Sequence, residues 1–237
     1  MEDEAAIQFI AYEDFVCVNL VSYTQPADGM GSNAEEHVAF VARVSNPANQ
    51  ANTKTSRGLV KYLAKNAHWS PFEMYHVTLE IITTRDISRQ ILRHWSFRFQ
   101  EFSQRYATVD SHKLILRDCR MQDRVNRQNS LACDDDTLAA WWDEIQKSIG
   151  RNAMQAYNAA IANGVAKEQA RALLPEGMTP TRLYMSGSLR SWYHYVGLRH
   201  ANGTQREHSI IADKCAAVLE TLFPQITAAM GKNETSI

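Results

Sequence analysis

Within fourteen residues, Arg93-His94-Trp95-Ser96-Phe97-Arg98-Phe99-Gln100-Glu101-Phe102-Ser103-Gln104-Arg105-Tyr106, the chain sets three arginines, a histidine, a carboxylate, serines and several aromatic rings. A core helix cannot bury so many charges unpaired, because each desolvation costs roughly several kcal/mol. A solvated surface helix has no use for so many rings. Fixed cations mixed with ring faces suit an anionic, planar ligand such as a nucleotide or a flavin. Ser103 has the chemistry of a nucleophile, but no Gly-x-Ser-x-Gly elbow surrounds it, and a hydrogen-bonding serine is the simpler reading. His94 reads equally as a ligand or as a helix-end histidine.

Three other segments carry site-type residues: 68–73, 171–175 and 188–199. In the last, Arg190 and His194 are spaced i, i+4 and share a helical face. Leu189, Trp192, Tyr193 and Val196 make an apolar stripe, and Arg199 projects opposite Arg190. One helix could serve two ligands in this way, although two solvated faces flanking an ordinary amphipathic helix give the same pattern. Arg171 lies in an apolar setting, where an arginine either snorkels or meets an anion. The eight histidines show no metal-binding spacing, and no GxGxxG or Walker loop is present. A metal site is therefore not expected, and a dinucleotide would have to be held in another way. Cys17, Cys119, Cys133 and Cys215 are far apart in sequence and form no CxxC pair, so reduced thiols are expected rather than zinc or disulfides.

The elements that must position these residues follow from periodicity. Residues 15–22 read as a strand. Asn33 with Glu36 forms a capping box for a helix over 37–44, and 55–65 has helical spacing. From Tyr75, Val77, Leu79 and Ile81 alternate with polar residues, which predicts a half-buried strand. Asp86 reads as the N-cap of a helix with Ile87, Ile91 and Trp95 on one face, so the arginine-rich segment begins on its last turn. Residues 110–136 are polar and read as a surface excursion. A long helix follows over 138–162, with Trp141, Trp142, Ile145, Ile149 and Ile161 as candidate core. A short helix over 167–174 comes next. Ser188 caps a helix over 189–199, and Thr204 with Glu207 forms a second capping box for 205–222. With no repeat or linker, the expectation is a single α/β (α+β) domain over 1–237, helix-rich with a small, mainly antiparallel sheet.

Arginine outnumbers lysine 17 to 8, with nine arginines between Arg85 and Arg127, which favours planar recognition of phosphate. The formal net charge of −1 gives no bulk attraction to nucleic acid or anionic membrane. The acidic start lacks the pattern of a signal peptide, and no apolar run reaches membrane-span length, so the cytoplasm is the expected compartment.

Taken together, the blocks resemble the flavin-dependent thymidylate synthases. Their hallmark is Arg-His-Arg, seven residues, then Ser; here Arg93-His94-Trp95, seven residues and Ser103 match all but one fixed position. His68-Trp69-Ser70-Pro71-Phe72-Glu73, Arg171-Ala172-Leu173-Leu174-Pro175, and Ser188 to His194 with Arg199 agree in order and approximate spacing. The match covers about residues 35–225. The resemblance implies synthesis of dTMP from dUMP, with methylenetetrahydrofolate as carbon donor, FAD as hydride carrier, NADPH as reductant and no cysteine nucleophile. It implies that Gln90, Arg93, Glu101, Ser103, Gln104, Arg105 and Arg171 hold dUMP. Arg199 would sit near the uracil and favour loss of the N3 proton. FAD would be held by His68, Ser70, Glu73, Arg93, His94, Trp95, Glu101, Ser188, Arg190 and His194, in a homotetramer with shared sites.

Trp95 replaces the second motif arginine; it could stack on a ring, with Arg98 restoring the charge. Met74 stands where many relatives have histidine, and Ser188 and His194 where some have asparagine. Two rivals remain from the residues alone. One is a module binding single-stranded nucleic acid through the arginine and aromatic segment; the other is a metal-dependent nucleotide hydrolase.

Overall fold

A computed structural model describes residues 7–110 and 112–225. In chain order the elements are β1 (Gln8–Ala11), α1 (Tyr12–Phe15), β2 (Cys17–Tyr23), α2 (Ala34–Ala42), α3 (Ser56–Lys65), β3 (His76–Thr84), α4 (Arg85–Ile91) and β4 (Arg98–Glu101). They continue with β5 (Lys113–Leu116), β6 (Arg120–Gln122), β7 (Ser130–Ala132), α5 (Asp136–Ala162), α6 (Lys167–Ala170), β8 (Pro180–Ser188), α7 (Leu189–His200) and α8 (Arg206–Leu222). The central sheet has the order β2-β3-β8-β4, all antiparallel.

The alternation read for β3 holds: Val77, Leu79 and Ile81 are fully buried, while His76, Thr78 and Glu80 are not. On β8, Leu183 and Met185 join that face. Against it pack Leu189, Trp192, Tyr195 and Val196 of α7, Ile211, Ala212, Cys215 and Leu219 of α8, and the apolar sides of α2 and α3. Full burial of such side chains is worth roughly 1.5–3 kcal/mol each. The sheet thus fixes α7, and with it the residues on α7's other faces. The Trp192 indole N–H donates to the Val77 carbonyl at 3.1 Å, so no polar atom is stranded there. Gly187 is required on β8, because a Cβ there would lie 2.5 Å from the Phe97 ring. That close approach seats the 93–97 turn on the sheet.

Several boundaries differ from the expectation. The chain at Phe15 is helical, and the strand runs Cys17–Tyr23. Asn33 caps α2 as predicted by accepting the Glu36 N–H at 3.0 Å; the Glu36 carboxylate, however, accepts from Ser32 N–H. Thr84, not Asp86, occupies the N-cap of α4. Asp86 lies in the first turn, where Arg117 claims its carboxylate at 2.8 and 2.9 Å. Because α4 ends at Ile91, Trp95 leaves the face shared by Ile87 and Ile91. The box at Thr204 does not form: the Thr204 hydroxyl donates to the Leu198 carbonyl, and Glu207 is held by Gln205 and Arg117.

The largest correction concerns residues 110–136. β5 pairs in parallel with β1, and Leu114 and Ile115 are fully buried. Only the β6–β7 hairpin remains an excursion. It carries Cys119 and Cys133, distant in sequence, to the wall of one pocket at the base of the hairpin. The buried face of α5 is also rotated by one residue, to Gln146, Gly150, Met154 and Tyr157, which leaves Trp141 and Ile149 exposed. Gln146 accounts for the rotation, since its amide accepts the Arg117 N–H and donates to the Arg117 carbonyl, both at 2.9 Å. Among the described residues no helix is long and apolar enough to cross a membrane.

Candidate active site

The predicted residues gather in three places. The first is a pocket of about 420 Å³ lined by Arg85, Arg89, Gln104, Glu168, Arg171 and Glu176, among others. Gln104 is buried there and its Nε2 has no hydrogen-bond partner. A buried unmet donor costs roughly 1–3 kcal/mol, so this one calls for an acceptor from a ligand. Glu101 stands at the pocket's edge on β4. Its carboxylate accepts from Ser88 Oγ at 2.6 Å, Thr181 Oγ1 at 3.1 Å and Arg89 Nη1 at 3.2 Å, with buried Arg85 3.6 Å away. Glu101 is thereby locked in one orientation. Arg105 is exposed and lies 3.7 Å from Glu168, whose carbonyl also accepts from Arg171 Nε at 3.3 Å. Ser103 is exposed, and its carbonyl accepts the N–H groups of Tyr106 and Ala107.

The second place lies where α4, α7 and α8 meet. Arg199 Nε donates to His94 Nε2 at 3.0 Å. Burial first, then Arg199 and Arg93, push the His94 imidazole down to about 4. It is therefore neutral at pH 7, with Nε2 as acceptor and the proton on Nδ1. The contact engages Arg199 through Nε rather than the terminal Nη groups, which suits a guanidinium that must also face a ligand. Gln90 reaches α8 here.

At the third place, Glu73 accepts from Ser188 Oγ at 2.5 Å and Arg190 Nη1 at 2.9 Å. Burial raises the Glu73 carboxyl, but Ser188 and Arg190 outweigh it and the net direction is down. The His194 ring stands edge-on to Trp69 at 4.8 Å. Ser188 also caps α7 through the Ser191 N–H, as predicted. His68 and Ser70 are exposed in the adjoining turn, which follows a left-handed Ala67 at the end of α3.

A family model described as thymidylate synthase complementing protein matches residues 19–225. The chain belongs to the flavin-dependent thymidylate synthase family. A probable flavin-dependent thymidylate synthase of Paramecium bursaria Chlorella virus 1 is 47% identical over 215 residues, covering 89% of this chain and 97% of that one. A flavin-dependent thymidylate synthase of Synechocystis sp. is 43% identical over 216 residues, covering 90% and 98%. Among solved structures, a UMP/dUMP methylase PolB from Streptomyces cacaoi bound with 5-Br dUMP aligns at TM-score 0.79 and 24% identity, over 95% of this chain and 97% of that one. This last likeness is one of fold.

Against the family motif, Trp95 is 91% exposed just beyond α4, and Arg93 is exposed beside it. Arg98 Nη1 donates to the Trp95 carbonyl at 3.2 Å, which keeps a cation next to the position where the family has arginine. None of the cysteines is among the residues that form the three clusters. Cys215 is fully buried and its thiol pushed far up by desolvation, which makes it inert. No metal-binding group of three His, Cys, Asp or Glu occurs among the described residues. Sequence reasoning missed Arg85, His208, Gln205 and Tyr195. Arg85 opens α4 straight from a strand, a junction where a charge must have a purpose; nothing local marks the other three.

Proposed function

We propose that this chain makes dTMP from dUMP, taking the carbon from methylenetetrahydrofolate and reducing equivalents from NADPH through FAD. The observation that carries the reading is the arginine-lined pocket with its unmet Gln104 donor, together with a second cluster that holds Arg199 against a neutral His94. Arg85, Arg89, Arg105 and Arg171 present guanidinium donors suited to a nucleotide phosphate. Gln90, Arg93, Glu101, Ser103 and Gln104 complete the nucleotide seat. Arg199 places fixed positive charge where a uracil anion forms on loss of the N3 proton, and being always charged it stabilises that anion without accepting the proton.

Exposed Arg93 and Trp95, together with the Arg190–His194 face, offer cations and ring surfaces that fit a flavin dinucleotide in kind. His68, Ser70, Glu73, His94, Glu101 and Ser188 are the further residues assigned to it. When bound, the flavin supplies the hydride. A cysteine nucleophile has no place in this scheme. The cytoplasm is the compartment we assign, and a homotetramer the assembly.

The test is formation of dTMP from dUMP by FAD-reconstituted protein, with dependence on methylenetetrahydrofolate and NADPH. Arg171→Ala is expected to raise the KM for dUMP by about 10- to 100-fold, the worth of a charge-assisted phosphate contact. No turnover by the wild-type protein would overturn the assignment.

A further inference from the structure

His208 lies on α8, is fully buried, and belongs to none of the motif blocks. Its Nε2 is 3.1 Å from Tyr195 Oη and its Nδ1 is 3.3 Å from Gln90 Oε1. Gln90 Nε2 donates to Gln205 Oε1 at 2.6 Å, and Gln205 Nε2 donates to Glu207 Oε2 at 2.8 Å. The direction of this chain is set at its end. A carboxylate beside Arg117 can only accept, so Gln205 must turn its NH₂ toward Glu207 and its oxygen toward Gln90. Gln90 then offers its oxygen to His208, whose Nδ1 must carry the proton. Nε2 is left bare to accept from the Tyr195 hydroxyl. Each link in the chain thus pairs a donor with an acceptor, and the amide of Gln90 is held in one of its two flips.

We infer that His208, oriented by Tyr195, is a positioning residue that fixes the Gln90 amide for the pyrimidine nucleotide. The inference rests on the proposed dUMP site, to which Gln90 belongs. A glutamine amide has four hydrogen-bond positions, and the network uses one N–H and one lone pair. One donor and one acceptor remain, in fixed places, and such a pair reads the alternating donors and acceptors of a pyrimidine edge. With the opposite histidine tautomer, two lone pairs would face each other and the amide would flip, exchanging its donor and acceptor toward the ligand. Tyr195 prevents this by donating to Nε2. Its ring also stands edge-on to His94 at 4.9 Å, so the network shares a wall with the Arg199 partner.

The experiment is steady-state kinetics and equilibrium dUMP binding on FAD-reconstituted variants. His208→Leu is expected to raise the KM for dUMP by about tenfold, the worth of one neutral hydrogen bond, with kcat within about twofold and flavin retention unchanged. His208→Asn keeps an N–H at the Nδ1 position and should restore KM to within about threefold of wild type. A space-filling role predicts the reverse order, since leucine suits an apolar core better than asparagine. Tyr195→Phe should raise KM by about threefold through loss of the fixed tautomer. In a double-mutant cycle, His208→Leu should add nothing to Gln90→Ala. Multiplying effects in that cycle, or His208→Leu at wild-type KM, would overturn the inference alone. A wild-type protein that neither binds nor methylates dUMP would overturn the underlying site as well.

Discussion

His94 and His208 carry no charge where a histidine would often be half protonated, and burial is the first cause in both. His94 is held to about 4 and His208 to about 3; Arg199 adds to both shifts, joined by Arg93 at His94 and by His94 at His208. The unfolded chain binds these protons near the ordinary imidazole value of about 6.5. Because the folded values are depressed, the stability they contribute is present above about pH 6.5 and lost as pH falls toward 4 and 3. Urea unfolding midpoints of the wild type are expected to fall steadily between pH 7 and 4.5, and those of His208→Asn to fall less steeply. Parallel curves would remove His208 from this account. Activity should likewise keep no acid limb near pH 6.5 from His94, since its Nε2 accepts from Arg199 until far lower pH. Arg93, His94 and Arg199 were legible in the sequence because residue type and motif spacing mark them. His208 was not, because its meaning lies in an amide 118 residues away.

Among the elements, the start of α4 depends on a residue from a distant segment. Arg117 follows β5, bonds Asp86 at 2.8 and 2.9 Å and the Thr84 hydroxyl at 2.8 Å, and lies 4.6 Å from the Tyr12 ring centroid. Its Nη1 is 3.0 Å from Glu207 Oε2, an ion pair by distance that lacks hydrogen-bond alignment. One guanidinium thus ties the first turns of α4 and α8 together; α4 carries Gln90, and Gln205 is the N-cap residue of α8. Arg117→Met strands the mostly buried Glu207 carboxylate and the partly exposed Asp86 carboxylate, and is expected to cost about 3 kcal/mol in urea unfolding. Arg117→Lys should recover only part, because an ammonium cannot fork between partners. A loss below about 1 kcal/mol for the methionine variant would show that the hub is dispensable. The same contact explains why local reading failed here. Caps and periodicity located β3, α3 and α7, whose patterns are written in neighbouring residues. The N-cap of α4, the box at α8 and the rotated face of α5 were decided by Arg117, which local patterns do not contain. β5 was hidden for a related reason: its partner β1 lies about a hundred residues earlier, in a parallel pairing with no turn signal between.

For the whole molecule, the proposed assembly rests on how α4 divides the candidate residues. Arg85 and Arg89 face Glu101 and Glu176, toward the Arg171 pocket. Gln90 faces α8, toward Arg199 and His208. These are different faces of a short helix, and the exposed turn with Arg93 and Trp95 follows directly after it. A large ring left 91% exposed beside a cation gains when something covers it, by roughly 2–3 kcal/mol if burial is complete. A second copy of the chain, setting its Arg171 pocket against the Arg199 cluster of the first, would cover Trp95 and join the two halves of the nucleotide seat. Light scattering on the eluting protein should then give at least twice the chain mass of 26.9 kDa, and about four times it for the homotetramer proposed above. Subunit mixing gives the sharper result. Arg171→Ala and Arg199→Ala damage opposite halves, and each alone is expected to lose at least about 10-fold in kcat/KM for dUMP at low substrate. After the two variants are dissociated and reassembled together, a fraction of the shared sites carries neither substitution, and activity should return toward about a quarter of wild type. If both halves came from one chain, every site in the mixture would carry a substitution and no activity would return.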